Sequence, residues 1–432
     1  MEAEKWDVIV IGAGLAGLLT AYYLKKEGKT VLVLEANQVA SGQTGRTTAK
    51  ITSQHGLKYS KLIRTVGRKK AKLYAKANED AVLQYEQLIN ECNIGCEFER
   101  VPAYLYTLQN EEVLKEEAKA AALLGIDAFF TKETELPFPV AGAVCFQNQA
   151  QFFSLAFIRY ISKQLEIWEN TKVIAVKGNK VITKEAVMSA DKIVVAAHYT
   201  FLNVPGFYFL RQHQERSYVL SLSGCSPING MYYGIDEDGI SLRQEGDYLL
   251  LGGGAHRTGE NKSGGAFDSL VQAAKKYFPD CKVEARWSAQ DCMPHDGIPF
   301  IGRYSIFTPH LYVITGFQKW GMTTSMIAAK ILQDELCGRK NPYASLFSPQ
   351  RIYFRAGINN LLIDIYMSVK GLSKGLVRKI FSREHGGNCP HMGCELTWNP
   401  DEKSWDCPCH GSRFEADGKL LDNPAKRNAW IE

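Results

Sequence analysis

The first 35 residues change hydrophobic period twice. Val8 to Ile11 form an unbroken apolar run, the pattern of a strand buried on both faces of a parallel sheet. A glycine-rich turn and a helical stretch follow, and Val31 to Leu34 form a second apolar strand. Farther along, residues 61–92 and 111–124 read as helices. Runs such as SYVLSLS and DYLLLGGG mark strands within 216–254. Between 346 and 382, Ile358, Leu361, Leu362, Ile365, Val369, Leu372, Leu376 and Ile380 recur at helical spacing. Lys370, Lys374 and Arg378 fall on the opposite face. A basic amphipathic helix can lie on an anionic membrane, but more often packs against its own protein. Gly371 and Gly375 would each weaken such a helix by about 1 kcal/mol.

The turn after the first strand carries Gly12, Gly14 and Gly17 as G-x-G-x-x-G. The first glycine allows the tight turn, the second a close approach of backbone to a pyrophosphate, the third close helix–strand packing. The helix N-terminus then offers N–H donors to phosphate. Glu35 closes the second strand, 18 residues after Gly17, where a carboxylate can accept both ribose hydroxyls. These residues predict a dinucleotide site without distinguishing FAD from NAD.

The 432 residues suit two or three domains. A net charge of +5, without a dense basic stripe, argues against a nucleic-acid partner. MEAEKW runs directly into DVIVIGAG with no basic-then-apolar leader, and no apolar run reaches the ~18 residues that would span a bilayer. A soluble, cytoplasmic protein is expected. Seven of the eleven cysteines are scattered over 92–337 and read as buried free thiols, while four cluster within 389–409.

The segment SGQTGRTTAKITSQHG (41–56) is rich in small and hydroxyl residues that can lie against a flavin. With DKIVVAAHY (191–199), and with DGIPFIGRY followed by LYVITGFQKWGMTTSMIAAKIL (296–332), it resembles the D-amino-acid oxidase/glycine oxidase superfamily of FAD enzymes over roughly residues 1–345. The resemblance implies an α/β, Rossmann-like FAD-binding domain, built from about 1–85, 140–200 and 285–345. An α+β substrate domain, about 86–139 and 201–284, would be interleaved with it. Arg46, Thr47, Thr48, Gly316, Gly321 and Met322 join Gly12, Gly14, Gly17 and Glu35 as expected FAD contacts. The final helix would aim its N-terminus at the carbonyl edge of the flavin.

Relatives commonly place a substrate-anchoring arginine just before D-G-x-P; counted back from Asp296, that place holds Asp291. A carboxylate there would repel a substrate carboxylate and attract an ammonium, which favours an amine. Lys319, beside Trp320, would lie near the ring, where it could activate oxygen or stabilise charge on reduced flavin. Arg216, Tyr218, Arg243 and His256 are pocket candidates, because alternate strand residues would line the cavity. His198 and His295 are ambiguous between site and core.

In the tail, Cys389-x-His391 and Cys407-x-x-His410 lie 15 residues apart. Two Cys and two His could hold zinc, although zinc spacings usually pair like ligands. One Cys and one His per loop is the arrangement of a Rieske [2Fe–2S] centre. C-x-H-x-G-C followed by C-P-C-H-G-S resembles the Rieske family. The resemblance implies Cys389 and Cys407 on one iron, His391 and His410 on the other, and a disulfide between Cys394 and Cys409. It adds a small all-β module at 383–432, after a helical linker at 346–382. The module is cut down to about 50 residues, since few residues precede its first ligand loop, so other parts of the chain or a partner must support it. Ser412 is present where the family has a hydrogen-bonding Ser, but Phe414 replaces the Tyr, which should lower the potential.

The combined expectation is an FAD-dependent dehydrogenase. It would oxidise the C–N bond of an amine or amino-acid-like small molecule by hydride transfer, and pass electrons singly through the Rieske cluster to an external acceptor. Three alternatives stand beside it: an O2-using oxidase with an accessory cluster, the reverse flow of electrons, and a redox-sensing or electron-carrier protein without its own organic substrate.

Overall fold

The computed structural model describes residues 5–381 and 387–431. Two large sheets share the chain alternately. The first has Lys5–Ile11 at its centre, with Val31–Leu34 and then Glu166–Trp168 on one side and Val187–Val195 and Leu311–Thr315 on the other, all parallel. Phe300–Arg303 pairs antiparallel at the edge. The apolar runs read from the sequence fill these strands because both faces are covered: Val8, Ile9, Val10, Val31, Leu32 and Val33 are all buried. Helix Leu15–Lys26 packs against helix Gly321–Leu336 on one face of this sheet.

The second sheet runs from Lys282–Pro294 through Gln212–Ser223, Tyr248–Arg257, Ser241–Glu245, Met231–Gly234, Glu99–Thr107 and Gly142–Gln151 to Lys50–Ile51, and a ninth strand, Ala128–Thr131, pairs with Gly142–Gln151. Strand Gly142–Gln151 lies here, although residues from about 140 were expected with the FAD-binding parts; it pairs with Glu99–Thr107 over most of its length. Most of Lys282–Pro294, expected beyond the boundary at 285, is also in this sheet, paired with Gln212–Ser223.

The expected helix over 61–92 is two helices, Tyr59–Val66 and Arg68–Glu91. They break at Gly67, whose φ of +85° other residues rarely adopt. Helix Glu112–Leu123 matches its expectation.

Two of the scattered cysteines are not free thiols. Cys225 and Cys281 form a disulfide. The antiparallel pairing that sets Ser223 opposite Lys282 brings them together, a proximity that sequence spacing does not reveal.

The tail forms a four-stranded antiparallel sheet of Thr397–Asn399, Ser404–Asp406, Arg413–Phe414 and Leu420–Asp422. Its support comes from the rest of the chain. Arg216, fully buried on strand Gln212–Ser223, reaches Glu402 through Nε (2.9 Å to Oε2), Gln290 (3.1 Å) and Ser288. Arg413 closes the network on Glu402 and Asp406, each at 3.0 Å. Such a pair is costly to desolvate and costlier to break, so it fixes the docking geometry.

Helix Phe354–Phe381 covers the tail with the face opposite to the one the apolar stripe predicts. Gly371 and Gly375 touch it, with Asp364 buried on the same side. Leu362, Val369 and Leu376 point outward, each more than half exposed. The glycines are there because the tail comes too close for side chains: a Cβ on Gly371 would sit 2.4 Å from Cys409 Sγ, and one on Gly375 2.1 Å from Gly393 O. The side chains of Lys374, Arg378 and Ile380 lie outside the described residues, as do residues 383–386 at the start of the expected tail module. No helix among the described residues is long and apolar enough to cross a membrane.

Candidate active site and cluster site

A cavity of about 910 Å³ lies between the two large sheets and runs to the tail. Gly12, Gly14, Glu35, Arg46, Thr47, Thr48, Gly316, Gly321 and Met322 all line it. Gly12 has a φ of +111°, and a Cβ on it would lie 2.6 Å from Ala196 O. Gly17 is not on the wall; its missing side chain lets helix Leu15–Lys26 lie on Gly12 O, which a Cβ would approach to 2.0 Å. The Glu35 carboxylate is fixed by the N–H groups of Ala13 (2.8 Å) and Asn37 (2.9 Å) at the strand end. Neither N-cap residue, Gly14 or Trp320, caps its helix with its own side chain, and at the first helix Thr44 Oγ1 accepts from Leu15 N–H at 3.1 Å. Two helix N-termini therefore meet one elongated cavity, an arrangement that fits a pyrophosphate at one and an electron-rich ring edge at the other.

The substrate-side expectations divide. Asp291 and Lys319 line the cavity, with Trp320, Tyr233 and Ser217. Asp291 stands opposite Glu215 across the paired strands, and Lys319 Nζ lies 3.6 Å from Glu215 Oε2. Burial pushes the Asp291 carboxyl up to about 7, so near neutrality it does not act as a fixed negative charge. Burial alone would lower Lys319; Tyr233, Glu215 and Asp291 outweigh it and hold the ammonium charged. Arg243 and His256 are not on the cavity wall. Arg243 is buried and donates to Thr48 O, Phe152 O (3.0 Å) and Gln151 (3.3 Å), so it holds the backbone at Thr48 in place. His256 meets Tyr218 Oη (3.0 Å) and Arg257 O (2.8 Å). Arg216 serves the tail interface, Tyr218 and His198 line the cavity, and His295 packs on Gly357.

Sequence reasoning missed Lys50. Its ammonium lines the cavity, donates to Tyr232 O (2.9 Å) and Ser241 Oγ (2.5 Å), and pairs with no carboxylate among the described residues. Burial, aided by Arg243, lowers it to about 7. The signal was its position within the small-residue segment 41–56, in a strand that enters the second sheet. Sequence reasoning also missed Asp422, Asn423 and Lys426, which bring the tail into the cavity wall. No local motif marks them, because module docking puts them there.

In the tail, Cys389, His391, Cys407 and His410 converge from two loops. Cys389 and Cys407 are free and buried, while Cys394 and Cys409 form a disulfide that ties the loops. Cys407 is held below the usual thiol range by Cys389, despite burial, with help from the N–H groups of His410, Cys409 and Gly411. Burial lowers His391 to about 4 and His410 to about 3, so both imidazoles are neutral. His391 Nδ1 and both ring nitrogens of His410 are buried without hydrogen-bond partners among the described residues. Orphaned neutral imidazole nitrogens beside two thiols are the donor set of a mixed Cys/His metal centre. Phe209 packs edge-on against both rings, and Asn203 Oδ1 accepts from His391 Nε2 at 2.9 Å.

Two connections join cavity and loops. Gln214 lines the cavity and donates through Nε2 to His410 O (2.8 Å) and Asn423 O (3.0 Å). A chain of charges runs in parallel: Lys319, Glu215, His213 (Nε2 3.6 Å from Glu215) and Asp364 (3.0 Å from His213 Nδ1). It continues to Arg257, 2.7 Å from Asp364, which donates to Pro408 O and Cys409 O. Burial opposes a proton on His213, but Asp364 and Glu215 outweigh it and raise its pKa.

Comparison with known proteins agrees with this geometry. The family described as FAD dependent oxidoreductase matches residues 7–335, and the Rieske [2Fe-2S] domain matches 384–430. The Rieske 2Fe-2S iron-sulfur protein YhfW of Bacillus subtilis (strain 168) is 34% identical over 98% of this chain and 92% of its own. An iron-sulfur subunit of the cytochrome b6-f complex of Trichormus variabilis is 50% identical over 9% of this chain and 22% of its own. Among solved structures, glycine oxidase from Geobacillus kaustophilus superposes with a TM-score of 0.68 at 18% identity, covering 81% of this chain and 99% of that one. L-proline dehydrogenase from P. horikoshii gives 0.67 at 17%, covering 81% and 98%. These two likenesses concern the fold. The oxidoreductase part takes FAD and the tail a [2Fe–2S] cluster. The chain belongs to the FAD-dependent oxidoreductase family and carries a Rieske [2Fe–2S] domain at its C-terminal end.

Proposed function

We propose that this protein is a dehydrogenase that oxidises the C–N bond of an amine or amino-acid-like molecule and releases the electrons through its Rieske centre. The observation that carries the reading is Gln214, which lines the flavin cavity and bonds the backbone of His410 at 2.8 Å. One side chain joins the cavity wall to the loop that carries His410. When bound, FAD accepts a hydride equivalent from a carbon next to nitrogen, and the cluster accepts one electron at a time.

The chain's own groups then have distinct roles. Gly12, Gly14, Glu35 and residues 46–48 hold the dinucleotide. Cys389 and Cys407 would hold one iron of the cluster, and His391 and His410 the other. Lys50, once protonated, attracts a substrate carboxylate, and Asp291, once ionised, attracts the substrate ammonium. The cation at Lys50 shifts the preference from a plain amine toward an amino-acid-like substrate. Lys319 is held by Glu215 at the ring. The solved folds of glycine oxidase and L-proline dehydrogenase support the substrate class by name alone.

The test is an anaerobic screen of amines and amino acids, following flavin absorbance and cluster EPR, with oxygen consumption and peroxide measured separately. The expected result is a substrate that bleaches flavin and reduces the cluster, with turnover fastest on a one-electron acceptor. Peroxide formed in step with substrate, and a cluster that stays oxidised, would make the protein an oxidase instead. No bleaching by any substrate, with dithionite reducing both centres, would favour an electron carrier.

A further inference from the structure

We propose that the outward face of helix Phe354–Phe381 is a docking surface for an anionic lipid bilayer. Phe354, Leu362, Ile363, Tyr366, Val369 and Leu376 on this helix are each 54–71% exposed. Leu362, Tyr366, Val369 and Leu376 follow the spacing i, i+4, i+7, i+14, so they form one stripe. Just before the helix, Ile352 is 84% exposed. A continuous apolar stripe of this kind is unusual on a soluble surface and marks a site of contact.

Charge selects the occupant. The helix sequence contains five basic residues, Arg355, Lys370, Lys374, Arg378 and Lys379, and one acid, Asp364. That acid is buried on the inward side and engaged by Arg257 and His213. Among the described residues, the exposed side combines apolar side chains with the exposed Arg355 and Lys370 beside the stripe. This pairing fits an amphipathic helix lying in the headgroup region, with its apolar residues in the acyl boundary and its basic residues on lipid phosphates. The inward face is held by Gly371 and Gly375 against the disulfide-tied loops, so the helix binds the surface without leaving the protein. The turn Tyr208–Leu210 touches this helix and packs Phe209 on both cluster histidines, so a bilayer here would lie beside the cluster-binding loops.

The experiment is co-sedimentation of the holoprotein with vesicles of phosphatidylcholine alone and of phosphatidylcholine with phosphatidylglycerol, at low and high salt. Each basic residue at the surface contributes about fivefold to partitioning on anionic lipid. We expect at least about tenfold preference for the anionic vesicles, lost in high salt. Joint Leu362→Gln and Val369→Gln substitution is expected to lower binding by at least about tenfold, with flavin absorbance and cluster EPR unchanged. Should that variant lose its cluster, the exposed charge reversals Arg355→Glu and Lys370→Glu serve instead. Absence of pelleting with either vesicle overturns the proposal. So does a stable dimer in solution that the same substitutions dissociate, since the face would then belong to a second copy of the chain.

Discussion

Replacing Gly371 with alanine sets two effects of opposite sign against each other. Glycine is the poorest helix former apart from proline, and alanine in a free helix would gain about 1 kcal/mol. At Gly371 the new methyl group would lie 2.4 Å from Cys409 Sγ and 3.5 Å from Cys394 Cβ and Sγ. Carbon and sulfur normally stay well over 3 Å apart, so helix or loops must shift by about 1 Å. Such overpacking costs about 1–3 kcal/mol, and here both sides of the contact are constrained. The disulfide holds Cys409, and Gly375 sits one turn along against Gly393 O. The packing cost is expected to win, with a net loss of up to about 2 kcal/mol. It should fall on the tail: faster loss of the cluster's visible absorbance under chelator, with flavin binding retained. Ser373→Ala, on the exposed side of the same helix, is the control and should leave cluster retention unchanged. The reasoning is refuted if Gly371→Ala keeps its cluster as long as the parent and melts at the same temperature or higher.

Glu402→Gln leaves the fully buried Arg216 with only the more distant Asp422 (3.9 Å) as a carboxylate partner among the described residues and is expected to cost about 3 kcal/mol at the tail interface, read as early tail proteolysis and cluster loss. Asp291→Asn has a pH signature. The parent carboxyl, raised to about 7 by burial, binds more protons folded than unfolded, so parent stability falls as pH rises from about 4 to about 7. The variant's melting-temperature advantage should therefore be small at pH 4, grow to neutrality and level off above; a pH-independent difference would refute the assignment. Lys50→Met is expected to raise KM for a carboxylate-bearing substrate by at least about tenfold while leaving the decarboxylated amine unaffected, as steady-state kinetics on both will tell. His213→Gln breaks the charged chain between Glu215 and Asp364, and should change the pH dependence of the cluster potential without changing flavin content.

The parts of the molecule legible in sequence are those whose chemistry is local. The turn at Gly12–Gly17, Glu35 at the strand end and the two Cys/His loops each carry their meaning within a few residues. What stayed hidden depends on register and docking. The opposition of Glu215 and Asp291 exists because Gln212–Ser223 pairs with Lys282–Pro294, and that same pairing closes Cys225 on Cys281. Arg243 and His256 sit on the substrate sheet as expected, yet strand parity alone could not say whether they faced the cavity. Gly371 and Gly375 read as weak points of a helix because the surface they accommodate lies in another module. Asp422 and Lys426 enter the cavity wall for the same reason.

The claim that matters most is that electrons cross from the flavin cavity to the cluster within one chain. Freeze-quench EPR and stopped-flow absorbance, after anaerobic mixing of fully oxidised protein with substrate below one equivalent, test it directly. Flavin is expected to bleach at a rate set by its encounter with substrate, and electrons then to reach the cluster in a first-order step whose rate constant is independent of protein concentration. A reduced flavin beside a cluster that stays oxidised, or a flavin-to-cluster rate constant that rises with protein concentration, would contradict intramolecular transfer.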